Sequence, residues 1–254
     1  MKIIFLGTGT SHGVPIVGCS CRVCTSTDHK NFRNRSSIHI DVSNHSIVID
    51  TPAEFRLTTL KYKIKKIDAV LLTHCHSDHI AGLDDIRRYN ELQNSKISIY
   101  GNERTLKEVK SRFAYIFKKT QEGGGKPKLI LKKIKPYCEF KTGNLKIIPI
   151  LVKHGSLDVM SYRINNFVYM TDVSYIPQKS FEYLKDIKVL VLDALRKEKH
   201  PTHFNLSQAI ETAKKINPEK VYFTHISHRL DHSSTEKKLP VNMQLAYDGL
   251  EVSF

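Results

Sequence analysis

The stretch AVLLTHCHSDHIAGLDDIRR, residues 69–88, joins a short apolar run to a cluster of ligand-capable side chains and then to a predicted helix. Its first four residues have the composition of a buried strand, and His74, His76, Asp78 and His79 follow directly. On the turn after a strand, imidazole and carboxylate groups at this spacing can converge on borderline divalent metals such as zinc or manganese. The pattern predicts that His74 and His76 bind one cation and that Asp78 and His79 bind a second.

Three later residues stand in the same kind of position, at the exit of an apolar run. His154 follows LKIIPILVK, Asp172 follows FVYMT and His225 follows KVYFT. One rim of a sheet can gather such strand ends, so these side chains are expected to join the first cluster, with Asp172 bridging two cations through its two oxygens. A single loop histidine such as His154 is more often only hydrogen-bonded, but the complete set favours a metal centre.

The cysteines indicate a second metal site. Cys19, Cys21 and Cys24 in GCSCRVC are too close in sequence for a disulfide framework, whereas thiolates at this spacing suit zinc. A closed tetrahedral site needs a fourth ligand, and His228 in THISH is the candidate. The alternative is a trio of reduced loop cysteines. Cys75 and Cys138 are expected to be inert.

Length and composition predict one soluble globular domain spanning residues 1–254. The chain has 254 residues, of which 40% are hydrophobic and 26% charged, without repeats, a linker or an apolar run long enough for a membrane span. MKIIFLGTGT at the N-terminus resembles a first strand, which favours a cytoplasmic location. The net charge of +15 favours anionic partners, but a lysine-rich composition explains the scattered positive charge equally well.

The order of apolar patterns predicts an α+β fold of two mixed sheets packed face to face, with helices on their outer faces. EGGGKPK, residues 122–128, is the one flexible-looking stretch, and AYDGLEVSF, residues 246–254, is expected to form a closing hairpin. Helices are predicted near 53–62, 80–93, 103–119, 177–185 and 206–216. Strands are predicted near 2–6, 37–42, 46–50, 69–72, 97–100, 129–134, 145–152, 159–164, 167–171, 188–193 and 220–224.

The His-x-His-x-Asp-His run with its later His, Asp and His resembles the metallo-β-lactamase superfamily, whose fold is an αββα sandwich. FLGTGTSHGVP, SCRVC, DHIAGLDDIR and FTHISH together resemble its PhnP-like branch of phosphoribosyl cyclic phosphate phosphodiesterases. The resemblance covers nearly the whole chain. It implies one metal held by His74, His76 and His154, a second held by Asp78, His79 and His225, the bridging Asp172, and a structural zinc at Cys19, Cys21, Cys24 and His228.

The same resemblance implies a hydrolytic mechanism. Two metals about 3.5–4 Å apart lower the pKa of a shared water towards about 7 and neutralise charge on a phosphate oxygen. His203 in HPTHFNL matches a histidine that assists phosphoryl chemistry in these enzymes, so it is assigned as general acid or oxyanion stabiliser. Asp78 is also counted among the catalytic residues, besides being a metal ligand. The alternative for His203 is a loop position before the helix at 206. His200 and His12 are competing candidates.

Several supporting residues have two readings. Asp50 can orient a ligand histidine or cap the helix that begins near Pro52. DTPAEFR departs from the branch's usual Asp-Thr-Gly-Pro-Asp-Phe-Arg, which leaves substrate contacts there in doubt. Arg35 and Ser36 can approach a phosphate but are more typical of a solvated loop. Asp84 and Asp85 are expected to place favourable charge in a helix's first turn.

The predicted function is hydrolysis of a small cyclic phosphate or nucleotide-like phosphodiester, with two active-site divalent metals, zinc or manganese, and one structural zinc. The expected partner is a small phosphorylated substrate rather than nucleic acid or membrane. The sequence does not decide whether the chain forms a homodimer. One alternative is a ribonuclease Z-like nuclease, for which FKKTQEGGGKPK is too short an arm. A lactonase or thioesterase on the same scaffold is another. A noncatalytic binding module is disfavoured because every ligand position is filled.

Overall fold

A computed structural model describes residues 1–119 and 125–254 of the chain. In chain order the strands are β1 (Lys2–Gly7), β2 (Ser37–Val42), β3 (His45–Ile49), β4 (Ala69–Leu71), β5 (Ile97–Gly101), β6 (Leu129–Lys133), β7 (Phe140–Thr142), β8 (Leu145–His154), β9 (Leu157–Ile164), β10 (Phe167–Met170), β11 (Val189–Asp193), β12 (Lys220–Thr224), β13 (Met243–Leu245) and β14 (Glu251–Ser253). The α-helices are α1 (Phe55–Lys61), α2 (Ser77–Ile80), α3 (Ile86–Gln93), α4 (Glu103–Arg112), α5 (Ala114–Phe117), α6 (Leu206–Ile216) and α7 (His232–Glu236). Short 3-10 helices cover His29–Asn31, Leu83–Asp85 and Gln178–Leu184.

The strands form two seven-stranded mixed sheets, in the orders β14-β1-β2-β3-β4-β5-β6 and β13-β12-β11-β10-β9-β8-β7. In each sheet one half is antiparallel and the other parallel: β3 to β6 run parallel in the first, and β10 to β13 in the second. The carboxyl ends of β1, β3 and β4 therefore lie at one edge of the first sheet. The carboxyl ends of β8, β10, β11 and β12 lie together in the second sheet in the same way.

The core between the sheets follows the two-residue period of the strands. Alternate residues of the central strands are buried against the facing sheet, as in Ile38 and Ile40 of β2, which share one cluster with Tyr162 of β9 and Tyr169 of β10. The intervening residues pack on the helices. Residues of β4 and β5 contact α1 and α3 on one outer face, and residues of β11 and β12 contact α6 on the other. The layers are thus helix, sheet, sheet and helix, which confirms the αββα sandwich.

Most element predictions are confirmed, and the errors have physical causes. The closing hairpin is wrong, because β13 pairs parallel with β12 in the second sheet while β14 pairs antiparallel with β1 in the first. The helix predicted over 80–93 breaks into α2, a 3-10 turn and α3. The helix predicted over 177–185 is a 3-10 helix, and β7 and α7 were not predicted. Residues 122–124 of the glycine-rich stretch lie outside the described residues. None of the helices in the described ranges is long and apolar enough to cross a membrane.

Candidate metal centre

The ends of both sheets meet at one rim and bring the predicted histidines and aspartates together. His74 and His76 follow β4, and Asp78 and His79 lie in α2. Gly82 permits the turn after α2, because a Cβ there would lie 2.1 Å from the carbonyl oxygen of Pro52. The second sheet supplies the remaining side chains from the ends of β8, β10 and β12.

One half of the cluster is built around His74. Its Nε2 lies 2.9 Å from Nδ1 of His76 and 4.0 Å from Oδ1 of Asp172. The ring of His154 is 5.8 Å from that of His74 and 5.4 Å from that of His76, centroid to centroid. Residues far apart in sequence therefore face one small volume, in the grouping that the sequence predicted for a first metal.

The other half is built around His79. Its Nε2 lies 3.3 Å from Oδ2 of Asp78 and 3.2 Å from Oδ2 of Asp172, and Nε2 of His225 lies 3.4 Å from Oδ1 of Asp172. Ligand atoms of Asp78, His79 and His225 all lie within 4.8 Å of one another. Asp172 contacts both halves, which is the position of a bridging carboxylate.

Hydrogen bonds from outside the cluster fix which ring nitrogen faces it. Nδ1 of His79 lies 2.7 Å from Oδ2 of Asp50, and the backbone N–H of Thr73 donates to Oδ1 of the same carboxylate at 2.8 Å. Nδ1 of His154 donates to the carbonyl of Thr202 at 2.7 Å. A histidine that donates through Nδ1 leaves a lone pair on Nε2, as a metal ligand requires. Helix α1 begins after Glu54, so the capping alternative for Asp50 is wrong.

Two nitrogens at the centre of the cluster are buried without a hydrogen bond among the described residues. These are the Nε2 atoms of His79 and His225, on side chains that are at most 3% exposed. Burial lowers the pKa of His225, which favours its neutral imidazole. Burial alone would raise the pKa of Asp172, but positive charge on the neighbouring His225 and His79 holds it well below its usual range, so the carboxylate stays ionised. Burial opposes the charged form of His79, yet Asp172, Asp78 and Asp50 raise its pKa well above the usual range, so a divalent cation would have to displace a proton there. A buried set of carboxylates and imidazoles that favours positive charge fits a divalent metal.

Three residues of this site adopt the left-handed backbone region that non-glycine residues rarely enter. Asp50, Asp172 and His225 have φ values of 63°, 57° and 58°. Asp50 and His225 follow a strand directly and Asp172 follows one after a single residue, and the sharp turn at each point accompanies a side chain directed into the cluster. Such conformations cost about 1–3 kcal/mol each and persist where the surrounding structure over-determines them, most often at functional sites.

His203 lies against the cluster without belonging to the predicted ligand set. Its ring stacks on that of His225 with centroids 4.6 Å apart and an interplanar angle of 15°, and its centroid is 4.4 Å from that of His154. Asn205 caps α6, and His203 lies in the loop two residues before it, where the loop alternative places it. His200 is half-buried and 5.2 Å from the His203 ring, whereas His12 is exposed on the loop after β1.

Asp193, at the end of β11, is a site residue that the sequence reasoning missed. Its Oδ2 accepts a hydrogen bond from the backbone N–H of Val173 at 2.8 Å and lies 2.8 Å from Nδ1 of His203. Its Oδ1 lies 3.7 Å from Nδ1 of His225. Burial raises the pKa of Asp193 to about 8. A carboxyl group at the end of the apolar run VLVLD was the available signal, the same one that identified Asp172.

The cysteine cluster lies apart from the His/Asp centre. The Sγ atoms of Cys19, Cys21 and Cys24 lie 3.3, 3.4 and 3.6 Å from Nδ1 of His228, which is more than 200 residues away in sequence. The backbone N–H of Cys24 helps to lower the pKa of Cys21 to about 6, so that thiol ionises readily. The four side chains have the composition of a closed Cys3His zinc site.

The weaker candidates take structural positions. Arg35 forms an ion pair with Glu54, and the Ser36 hydroxyl donates to the carbonyl of Gly9 at 2.9 Å. Asp84 accepts from the Tyr115 hydroxyl and pairs with Arg87 at 3.3 Å. Cys75 is buried and Cys138 is exposed, and neither belongs to a ligand group of the described chain.

Comparison with known proteins agrees with this architecture. Residues 11–226 match the family described as the β-lactamase superfamily domain. The crystal structure of a diphosphatase of the PhnP family superimposes with a TM-score of 0.93 and 38% identity over 100% of this chain and 97% of that one. The octanoyltransferase of Porphyromonas gingivalis is 38% identical over 99% of this chain, which spans about half (51%) of that protein's length. The ribonuclease Z of Listeria monocytogenes is 24% identical over 100% of this chain and 97% of that protein.

The four-layer fold and the ligand-bearing rim are those of a metal-dependent hydrolase, and the clustered histidines and aspartates have the composition of a metal-binding site. The chain belongs to the β-lactamase superfamily, in its PhnP-like branch.

Proposed function

We propose that this chain hydrolyses a phosphate diester or diphosphate bond in a small phosphorylated molecule, using two divalent cations. The observation that carries the proposal is the placement of Asp172 between two groups of ligand atoms, with the Nε2 atoms of His79 and His225 buried and unbonded within the described structure. The PhnP-family diphosphatase, similar over nearly the whole of both chains, supports phosphoryl chemistry over acyl chemistry.

The residues divide into two metal-holding groups in this proposal. His74, His76 and His154 hold one cation, Asp78, His79 and His225 hold the other, and Asp172 bridges. When bound, the pair of cations supplies an ionised water and neutralises charge on the phosphate oxygens. Asp50 keeps the Nδ1 of His79 engaged, so that its Nε2 faces the metal position. Asp78 is the least buried carboxylate of the set, and the neighbouring His79 keeps its pKa below the usual range against the effect of burial, so it would stay ionised as a metal ligand.

His203 is the proton donor for the leaving oxygen in this mechanism. Nδ1 of His203 lies 2.8 Å from Oδ2 of Asp193, which leaves Nε2 to face the substrate. Burial lowers the pKa of His203, so its resting imidazole is neutral. Its Nε2 would take up the proton released by the attacking water and pass it to the departing alkoxide or phosphate. The ring lies against both His154 and His225, so the donor is close to each predicted metal position. In this arrangement His203 acts on the substrate and Asp193 acts through His203.

The cysteine cluster is proposed to hold a structural zinc. His228 is separated by only two residues from His225, so a closed site there ties the loop after β1 to the strand end that carries a catalytic ligand. The Ile226 N–H donates to the Thr8 carbonyl at 2.8 Å, which joins the same two segments independently of any metal.

A substrate screen with metal-reconstituted protein tests the proposal. We expect turnover of bis(p-nitrophenyl) phosphate and of small cyclic phosphates or diphosphates, with none of lactones or thioesters. Chelation should abolish turnover, and returning zinc or manganese should restore it. Acyl-ester turnover without phosphoester turnover would overturn the proposal. Accurate tRNA-precursor cleavage with steeply salt-dependent binding would instead favour the ribonuclease Z alternative.

A further inference from the structure

The His/Asp cluster is open to solvent on one side. In the segment that follows β4, His76 and Ser77 are exposed, whereas His74 and His79 are fully buried. On the second sheet the bridging Asp172 is only 3% exposed. A substrate can therefore reach the predicted metal positions past His76 and Ser77, and the side chains beside this opening are the ones that can select it.

One cation is hydrogen-bonded at this opening. Arg112, the last residue of α4, donates through Nη1 to the Ser77 hydroxyl at 3.0 Å. Ser77 stands between His76 and Asp78, which are predicted ligands of different metals. No other lysine or arginine of the described chain hydrogen-bonds to residues 74–79. The guanidinium thus lies beside a segment that supplies ligands to both predicted metal positions.

Helices α4 and α5 are tied to neighbouring elements before and after Arg112. Just before α4, the Asn102 side chain donates to the Asp158 carbonyl on β9 at 3.4 Å. In α5, the Tyr115 hydroxyl donates to Asp84, in the 3-10 turn that follows α2. The two helices therefore form a wall that reaches from the second sheet to the turn after α2, with Arg112 between the two contacts.

The Arg112 guanidinium keeps donors for a ligand. Its Nε pairs with Glu108 at 3.3 Å, one turn earlier on α4, and Nη1 bonds to Ser77. Nη2 has no hydrogen-bond partner among the described residues. The Arg112 and Glu108 side chains are 41% and 43% exposed, and an ion pair so open to water is weak. An anion at Nη2 therefore displaces water and does not have to break a buried salt bridge.

Two other cations near the predicted ligands are held by their own loops. Lys153, next to His154, pairs with Asp158. Arg196 donates through Nη2 to the carbonyl of Lys199 at 3.0 Å. Of the three cations, Arg112 is the one that bonds to the exposed ligand segment.

We propose that Arg112 binds a second phosphate of the substrate, adjacent to the phosphate that is cleaved. The single negative charge of a simple diester is met at the metal positions, whereas a further phosphate extends beyond them and needs its own cation. A planar guanidinium matches phosphate oxygens with paired N–H donors. The inference rests on the proposed phosphoryl hydrolase function and deepens it, because it assigns the choice between a diphosphate and a simple diester to one side chain.

Two substrates that differ by one phosphate test this assignment: bis(p-nitrophenyl) phosphate and the symmetric bis(p-nitrophenyl) diphosphate. Attack of water on the diphosphate yields p-nitrophenyl phosphate from both halves, which phosphorus NMR quantifies. Arg112→Gln should raise KM for the diphosphate at least about tenfold with little change in kcat, because the contact exists in the ground state and the transition state alike. Both constants for the diester should change less than about twofold. Arg112→Lys should retain part of the diphosphate preference.

Arg104→Gln is the matched control, because Arg104 is also an exposed arginine of α4 but has no hydrogen bond to residues 74–79 in the described structure. Ser77→Ala separates recognition from positioning, since it removes the hydrogen bond to Arg112 and keeps the charge. It should weaken the diphosphate preference less than Arg112→Gln does. Metal content is measured in every variant, so that a loss of metal is not mistaken for a loss of substrate contact.

The inference is overturned by an unchanged KM for the diphosphate in Arg112→Gln, by equal effects on both substrates, or by wild-type turnover of the diester alone. In each of these cases wild-type turnover leaves the phosphoryl hydrolase function standing. If wild type hydrolyses neither substrate, the proposed function fails, and calorimetry with methylenediphosphonate decides the role of Arg112. Binding about tenfold weaker in Arg112→Gln than in wild type supports the phosphate contact, and equal or absent binding overturns it.

Discussion

The two ligand clusters of this molecule are assembled in different ways. The His/Asp cluster gathers side chains from the ends of β4, β8, β10 and β12, and its central members are at most 3% exposed. The Cys/His cluster takes three of its four side chains from one loop with little secondary structure, and Cys19 and Cys21 are only half-buried. The first cluster is positioned by two sheets. The second depends on a loop for three of its four side chains.

This difference extends to the groups around each cluster. Asp50 and the Thr202 carbonyl orient the ligands His79 and His154 by hydrogen bonds, so part of the His/Asp cluster's geometry is fixed by protein contacts. The cysteine thiols have His228 as their common neighbour, and no carboxylate of the described residues hydrogen-bonds to that histidine. We therefore expect the first site to depend on metal for chemistry and the second to depend on metal for order.

The largest expected effect comes from removing the bridging carboxylate. Asp172→Ala should lower kcat/KM for bis(p-nitrophenyl) phosphate by at least about 10³-fold, because both predicted metal positions lose a ligand. Metal analysis should show loss of active-site metal with the zinc of the cysteine cluster retained. Asp186→Asn is the control, since Asp186 is also an aspartate with positive φ (56°) but is exposed and outside the site. Loss of metal from both clusters in this variant would contradict the expectation that the two sites bind metal independently.

A smaller loss is expected from the proton donor. His203→Ala should lower kcat by about 10²–10⁴-fold while the metal content stays unchanged, because His203 is proposed to act on the leaving group rather than on a cation. Asp193→Asn should lower kcat less. His200→Ala is the matched control, being a histidine three residues away in the same loop, and it should retain most of the activity. Unchanged turnover in His203→Ala would remove it from the mechanism.

The same contrast explains what could be predicted from sequence. Residues at strand exits, such as His154 and Asp172, were identifiable because apolar runs mark the strands and parallel strands share an edge. Asp193 obeys the same rule and was missed, because its role depends on a contact with His203 that spacing does not reveal. The route of β14 back to β1 was not predictable, since the short turn before it looks like a hairpin while its partner is some 250 residues away.

Loss of the zinc site at the cysteines should loosen the loop after β1 more than it lowers activity. Cys21→Ser should release one zinc per chain and make the loop after β1 more sensitive to proteolysis, since metal is expected to supply much of that loop's order. Activity should fall less than tenfold, because the Ile226–Thr8 hydrogen bond still holds the loop to the catalytic rim. Cys138→Ser is the control, because Cys138 is exposed and far from any ligand group of the described chain. Identical zinc content in Cys21→Ser and wild type would contradict the site.

The smallest expected effect is a change of stability with pH, and it concerns His39, a buried histidine outside the metal centre. His39 on β2 is 6% exposed, its Nε2 lies 2.8 Å from the Ser46 hydroxyl, and burial lowers its pKa to about 4. In the unfolded chain His39 takes up a proton below its pKa of about 6.5, whereas in the folded protein it does so only near pH 4. Stability therefore falls as pH drops from about 6.5 towards 4. Between pH 7 and pH 5 wild type should lose about 2 kcal/mol more unfolding free energy than His39→Gln, measured with urea. Activity at pH 7 should be the same in both. Parallel stability curves would show that His39 is protonated in the folded protein, and that burial alone does not keep a histidine of this chain neutral.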